Sequence, residues 1–323
     1  MVQHSSFRVF IARPRGFCAG VDRAIDIVRL ALKIYGPPVY VRHAIVHNHK
    51  VVRDLEREGA VFVERIEDIP PGSVTVFSAH GVSPQVREAA RARNLQVLDA
   101  TCPLVTKVHL EARRYAREGY TIFLIGHRGH VEVEGTMGEA PEHMVLIETP
   151  EDARAVQVPN PDRVAVLTQT TLSVDDTREI LDILAHRFPA LHRPRAEDIC
   201  YATQNRQDAV KTLARMVDVL LVIGSRESSN SNRLREVGEK QGIPSYLIDC
   251  ADEILPEWVR DVDAVGVTAG ASTPEELVQD VITRLRGLGA THVEEIEGRE
   301  ENILFTLPRP LQEKARELGL SLS

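Results

Sequence analysis

The chain has 323 residues, 43% hydrophobic and 27% charged, enough for two or three domains with sizeable cores. Its 47 acidic residues outnumber 39 basic ones, and the formal net charge of −8 argues against a general nucleic-acid or membrane-surface binder. No apolar run approaches the ~20 residues that span a bilayer, Met1 to Phe10 holds no apolar signal region, and four cysteines are too few for a disulfide framework. The expectation is a cytoplasmic protein whose cysteines, if they act, do metal or redox chemistry.

Runs rich in Val and Ile predict strands at Arg8–Ala12, Val39–Arg42, Val74–Ser78, Val97–Ala100, Thr121–Gly126, Arg163–Thr168, Val219–Gly224, Ser245–Asp249 and Ala264–Thr268. Several are apolar throughout, the pattern of strands buried on both faces of a parallel sheet. Between them lie amphipathic stretches such as Val21–Tyr35, where Val21, Ala24, Ile25, Val28, Ala31, Leu32 and Tyr35 share one helical face. Ser83-Pro84 and Thr273-Pro274 read as helix starts, a cap followed by proline. Strands alternating with helices predict an α/β fold.

Cys18, Cys102 and Cys200 lie 84 and 98 residues apart, and each opens a new α/β block. The expected domains are 20–102, 103–199, and 1–19 together with 200–290, the first strand returning to the last block. Residues 291–323 form a tail with a short strand-like run and a helix.

In open parallel sheets, ligands bind beyond the carboxyl ends of the strands. Six strand ends carry His, Cys, Ser, Thr or Asn beside a small residue, around His80-Gly81, Thr101-Cys102, His127–Glu132, Thr168–Thr171, Gly224–Asn232 and Thr268–Ser272. One such end means little, because turns favour these residues. Six together predict a central polar site. Cys18, Cys102 and Cys200 sit at element ends, where a following helix favours negative charge. Cys250 ends an ordinary strand and reads as a small half-buried residue. By spacing alone the three could be unrelated thiols; three thiolates would also suit an iron–sulfur cluster with one iron lacking a protein ligand.

His4, His109, His143, His186, His192 and His292 lie in helical, surface or terminal contexts and carry no predicted chemistry. Among His43, His47 and His49 the residues alone allow no choice. His80 is a better candidate. His130 precedes Glu132 by two in a glycine-bracketed turn, a spacing open to a proton relay or to a solvated turn carboxylate. The run Ser228–Asn232 opens a helix with more hydroxyl and amide groups than a cap needs, a natural phosphate cradle, and Ser272 repeats the arrangement. No P-loop and no strand–G-x-G-x-x-G–helix unit is present, which weighs against nucleotide and dinucleotide cofactors.

Together these motifs resemble the 4-hydroxy-3-methylbut-2-enyl diphosphate reductase family of the methylerythritol phosphate route. The resemblance rests on RGFCAGV at 15–21, IVHN at 45–48, SAHGVS at 78–83, ATCPLVTK at 100–107 and GHVEVEGTMG at 129–138. It continues through TQTTLSVDD at 168–176, DICYATQNR at 198–206, GSRESSNSNRL at 224–234, VTAGAS at 267–272 and EGREEN at 297–302, in order over nearly the whole chain. It implies a trefoil of three small α/β domains, each with a mainly parallel sheet, around a central [4Fe–4S] cluster held by Cys18, Cys102 and Cys200 with one open iron site.

The same resemblance implies that His47, His80, His130, Ser228, Ser229, Asn230 and Ser272 hold the diphosphate. It implies that Glu132 supplies protons with His130 assisting, and that Thr170 positions the substrate hydroxyl. The implied reaction is a two-electron reductive dehydroxylation giving isopentenyl and dimethylallyl diphosphate, with electrons from a ferredoxin or flavodoxin. One departure is Val131, where the family often has proline, which would loosen the loop carrying Glu132. Rival readings are a three-cysteine iron–sulfur hydro-lyase or quinolinate synthase-like enzyme, and an iron–sulfur sensor that binds a phosphorylated metabolite without turning it over.

Overall fold

The computed structural model describes residues 6–194 and 197–320; His4 lies outside them. The chain runs β1 (Phe7–Ile11), α1 (Ala19–Tyr35), β2 (Val39–Arg42), α2 (His49–Glu58), β3 (Ala60–Val63), β4 (Val74–Phe77), α3 (Pro84–Ala92) and β5 (Gln96–Asp99). It continues through α4 (Pro103–Arg117), β6 (Thr121–Ile125), α5 (Val131–Met137), β7 (Met144–Ile147), α6 (Pro150–Ala155), β8 (Val164–Thr168), α7 (Val174–Arg187) and α8 (Tyr201–Leu213). It ends with β9 (Val219–Ile223), α9 (Ser229–Lys240), β10 (Ser245–Ile248), β11 (Ala264–Ala269), α10 (Glu275–Gly287), β12 (Ala290–Glu295) and α11 (Arg309–Glu317). Contacts divide it into one unit of residues up to Cys18, His47–Val51 and Tyr201–Leu304, and another of Ala19–Val46, Val52–Cys200 and the chain from Phe305 on.

The first unit holds a five-stranded sheet in the order β10-β9-β11-β1-β12, every pair parallel. β1 pairs with β11 (Val9 opposite Val265) and with β12 (Val9 opposite Val293). The amino-terminal strand therefore returns to the last block, and the strand of the tail is an edge of the same sheet. Side chains alternate across a strand. Val219, Leu221 and Ile223 pack with Leu277, Val278, Val281 and Leu285 of α10, while Leu220 and Val222 pack with Val210 and Leu213 of α8 and Leu234 of α9. Helices thus cover both faces, which is why β9 and β11 are buried along their whole length.

The second unit holds two parallel sheets, β3-β2-β4-β5 and β7-β6-β8. In the latter, Phe123 and Ile125 face Ile180 and Leu184 of α7, and Ile122 and Leu124 face Val108, Ala112 and Tyr115 of α4. The fold is α/β with three parallel sheets. Sequence patterning omits β3 and β7, two four-residue edge strands. α3 begins at Pro84 after Ser83 as expected. α10 begins one residue later than Thr273-Pro274 implies, because Pro274 occupies the cap and the Thr273 hydroxyl donates to Ile223 O at 2.9 Å. Among the described residues no helix is long and apolar enough to cross a membrane.

Candidate active site

In the second unit the strand ends carry an acid, two histidines and two cysteines. Glu132 lies in the first turn of α5 and is only 3% exposed. Its carboxyl is held from both sides by one residue. Thr170 N donates to Oε1 at 2.7 Å and Thr170 Oγ1 donates to Oε2 at 3.0 Å. Burial raises the Glu132 pKa to about 7 against the lowering effect of those two hydrogen bonds, with a further rise from nearby Asp198. A threonine hydroxyl both donates and accepts. It can donate to the carboxylate and accept from the carboxylic acid, so the pair suits either protonation state and offers a path for the proton. Thr170→Val removes that hydroxyl donor and is expected to raise the Glu132 pKa further, moving the basic limb of the pH–rate profile upward while lowering the rate.

His130 caps α5, its Nδ1 accepting from Glu132 N at 3.2 Å. In the neutral ring this puts the proton on Nε2. Val131 takes the first helical position that proline often fills. The helix start is held by the His130 cap and the Thr170 clamp. His80, after β4, meets His130 edge to face with ring centroids 6.0 Å apart, and its Nδ1 lies 3.2 Å from Ser78 Oγ.

Cys102 caps α4, and its N donates to Ala79 O at 3.0 Å, beside His80. Cys200 N donates to Thr170 O at 3.0 Å, so this cysteine is fixed to the residue that clamps Glu132. Residues without a predicted role tie these pieces together. Lys107 Nζ meets Asp198 Oδ1 at 3.0 Å, and Asp198 Oδ2 accepts from Thr168 N at 3.0 Å. Burial raises the Asp198 pKa to about 6 against the pull of Lys107. Gln169 Oε1 accepts from His127 N at 3.1 Å, anchoring the loop ahead of His130. The motif stretches contain all three residues, but the separation of 91 positions between Lys107 and Asp198 hides their pairing.

His109 stands on α4, a helical context as expected, and is buried. It is 2% exposed, with Nδ1 2.9 Å from Oε1 of the buried Glu139. It packs under Gly81, where a Cβ would lie 3.0 Å from its ring. His192 stacks edge-on against Tyr115 and Tyr120, and His143 Nδ1 lies 3.0 Å from Tyr120 O.

In the first unit, polar groups gather beyond β9 and β11. Ser228 caps α9, accepting from Ser231 N at 3.3 Å and from Ser231 Oγ at 3.0 Å. Ser229 opens the helix, whose amino terminus favours an anion. Ser272 Oγ donates to His47 O at 3.0 Å, which brings His47 to this group. His49 instead pairs with Asp249 at 3.1 Å, and His43 in the other unit pairs with Glu64. Asn230 is engaged at both ends of its amide, accepting from Ala271 N at 2.9 Å and donating to Thr203 Oγ1 at 3.2 Å. Through these two bonds it ties α9 to the turn after β11 and to α8. The close approach of strand ends to α9 requires glycine at 224, where a Cβ would stand 2.1 Å from Ser231 Oγ. Gly224→Ala is expected to destabilise the protein by about 1–3 kcal/mol and to raise KM more than it lowers kcat, checked by denaturant melts and steady-state kinetics.

Cys18, Cys102, Cys200 and Cys250 are all reduced and partly buried. The first three immediately precede α1, α4 and α8, helices of 17, 15 and 13 residues. Among the described residues no three His, Cys, Asp or Glu side chains are grouped around a single metal ion. In an iron–sulfur cluster each cysteine binds its own iron, and thiol sulfur at a helix start is a suitable donor.

Residues 9–286 match the family model described as LytB protein. The chain is 57% identical over 304 residues to the 4-hydroxy-3-methylbut-2-enyl diphosphate reductase of Ralstonia nicotianae, covering 94% of each chain. It is 57% identical over 309 residues to the enzyme of the same name from Ectopseudomonas mendocina, covering 94% of this chain and 98% of that one. Its fold matches the solved structure of the E-1-hydroxy-2-methyl-but-2-enyl-4-diphosphate reductase from Plasmodium falciparum with a TM-score of 0.94 at 37% identity, over 98% of this chain and 100% of that one. A second solved reductase, described as the terminal enzyme of the non-mevalonate pathway, matches with a TM-score of 0.61 at 34% identity, over 87% and 99% of the two chains.

Proposed function

The chain belongs to the LytB family, and we infer from this that it is an iron–sulfur 4-hydroxy-3-methylbut-2-enyl diphosphate reductase acting at the terminal step of the non-mevalonate isoprenoid route. The reaction replaces an allylic C–O bond by C–H, consuming two electrons and two protons and releasing water. The products are isopentenyl and dimethylallyl diphosphate. The observation that carries this reading is the buried Glu132–Thr170 pair, an acid poised near neutrality with a hydroxyl partner at a strand end.

Cys18, Cys102 and Cys200 would hold a [4Fe–4S] cluster, with one iron lacking a protein ligand, and Cys250 would take no part. When bound, the cluster supplies the electrons and a Lewis-acidic iron for the substrate hydroxyl. The remaining work falls to side chains. Glu132 delivers a proton from Oε2 through Thr170 Oγ1 toward the leaving hydroxyl, and Thr170 orients that hydroxyl. His130, with Nδ1 occupied by its cap, presents Nε2–H to an anionic oxygen and assists proton delivery, with His80 beside it. His47, Ser228, Ser229, Asn230, Ser272 and the amino terminus of α9 hold the diphosphate without lysine, by charge-assisted hydrogen bonds. Electrons arrive from an external carrier of the ferredoxin or flavodoxin type, and the working compartment is the cytoplasm.

The test is anaerobic turnover of the allylic diphosphate by reconstituted protein with a chemical one-electron reductant. Two electrons consumed per substrate, with both five-carbon diphosphates formed, supports the assignment. Binding without electron consumption by a fully loaded cluster rejects it in favour of a sensor.

A further inference from the structure

Arg206 heads the largest side chains that are fully buried, with no exposure to solvent. It stands on α8, six residues after Cys200, in the first unit. Nε and Nη2 donate to Gly16 O at 3.2 and 2.7 Å, and Nη2 also reaches Phe17 O at 3.3 Å. Nη1 donates to Ala202 O at 2.9 Å and to both carboxylate oxygens of Glu301 at 3.1 and 3.2 Å. Asn205 Nδ2 also donates to Glu301 Oε1, at 3.0 Å.

The placement has a chemical reason. Between β1 and α1 the chain must turn, and the carbonyls of Gly16 and Phe17 point into protein. A buried carbonyl left unmade costs free energy, and the planar guanidinium fork serves both at once. On the other side of the turn, Gly16 N donates to Ala269 O and Cys18 N to Ala271 O, each at 3.3 Å. The dipeptide before Cys18 is therefore gripped between the end of β11 and a buried cation. Apolar residues often replace a buried ion pair with no loss of stability. Keeping the pair here secures a particular backbone path.

We propose that Arg206, held in place by Glu301, is a positioning residue that sets the sulfur of Cys18 for iron. It gives the EGREEN segment at 297–302 a task, that of holding an arginine whose other arm fixes a ligand loop. The proposal rests on the reading of Cys18 as a cluster ligand.

The test uses full-length Arg206→Lys, Glu301→Gln and Cys18→Ser, with Glu300→Gln as control because Glu300 pairs at the surface with Arg13. Each protein is reconstituted without oxygen, then followed for iron and sulfide per chain, the rate of iron loss to a chelator, and circular dichroism. Arg206→Lys and Glu301→Gln are expected to keep their fold and release iron about 10- to 100-fold faster, the usual effect of removing a residue that supports a metal ligand. Glu300→Gln should match the parent. Parental iron release in Arg206→Lys and Glu301→Gln, beside iron loss in Cys18→Ser, overturns the proposal. So does iron loss that only tracks loss of fold. Parental iron content in Cys18→Ser overturns the ligand reading itself, and the proposal with it. Should Arg206→Lys not fold, Glu301→Gln decides alone.

Discussion

Glu132→Gln is expected to lower kcat by about 100- to 10,000-fold, the range that a positioned proton donor contributes, while KM changes little. Glutamine keeps the side chain's shape and an oxygen for Thr170 N, so the clamp and the helix start survive. It removes the only proton that Glu132 can give. The parent rate is expected to fall as pH rises through about 7, where the buried acid ionises. The residual rate of the variant should lose that limb. Near-parental activity, or an unchanged basic limb in the variant, would place the proton donor elsewhere.

The same burial leaves a mark on stability. The folded pKa of Glu132 is raised above its ordinary value of 4.5 to about 7. Its contribution is therefore intact below pH 4.5, declines between 4.5 and 7, and is gone above. The loss is on the order of 3 kcal/mol, from about 1.4 kcal/mol per unit. Asp198, raised to about 6, acts in the same direction over a lower window. Cluster-free protein melted at pH 5 and pH 8 gives the combined effect, and subtracting the Glu132→Gln melts isolates the part due to Glu132.

The sequence made the architecture legible wherever a strand is buried on both faces. β6, β8, β9 and β11 read as continuous apolar runs because helices cover both sides of them. β3 and β7 were not read, although β10, an edge strand of the same length and burial pattern as β7, was. The site divides in a similar way. Cysteines, histidines and serines at strand ends stand out by type, although the residues alone left His43, His47 and His49 undecided and the three cysteines open to an unrelated reading. Their supports do not, since Lys107–Asp198 and Arg206–Glu301 join positions about 90 residues apart and neither partner is unusual alone. His109 hid its burial for a related reason. It lies on a helix otherwise rich in charge, and only packing beneath Gly81 and beside Glu139 reveals its burial.

Cys18→Ser, Cys102→Ser and Cys200→Ser are each expected to lose most iron and essentially all turnover, whereas Cys250→Ser keeps both. The four thiols are alike in being reduced and partly buried, so exposure does not separate them. The next element in the chain does. Cys18, Cys102 and Cys200 each stand directly before a helix of at least 13 residues, whose amino terminus favours the negative charge of a metal-bound sulfur. Two of them are also fixed beside His80 and the partner of Glu132, Cys102 N to Ala79 O and Cys200 N to Thr170 O. Cys250 precedes only a three-residue 3-10 turn, with Asp249, Asp252 and Glu253 around it. Serine is nearly the size of cysteine but a harder ligand that binds iron weakly beside sulfide. Iron and sulfide counts after anaerobic reconstitution distinguish the outcomes. Full iron in any of the first three variants removes that residue from the ligand set, and iron loss in Cys250→Ser adds a fourth anchor and overturns the reading of one open iron.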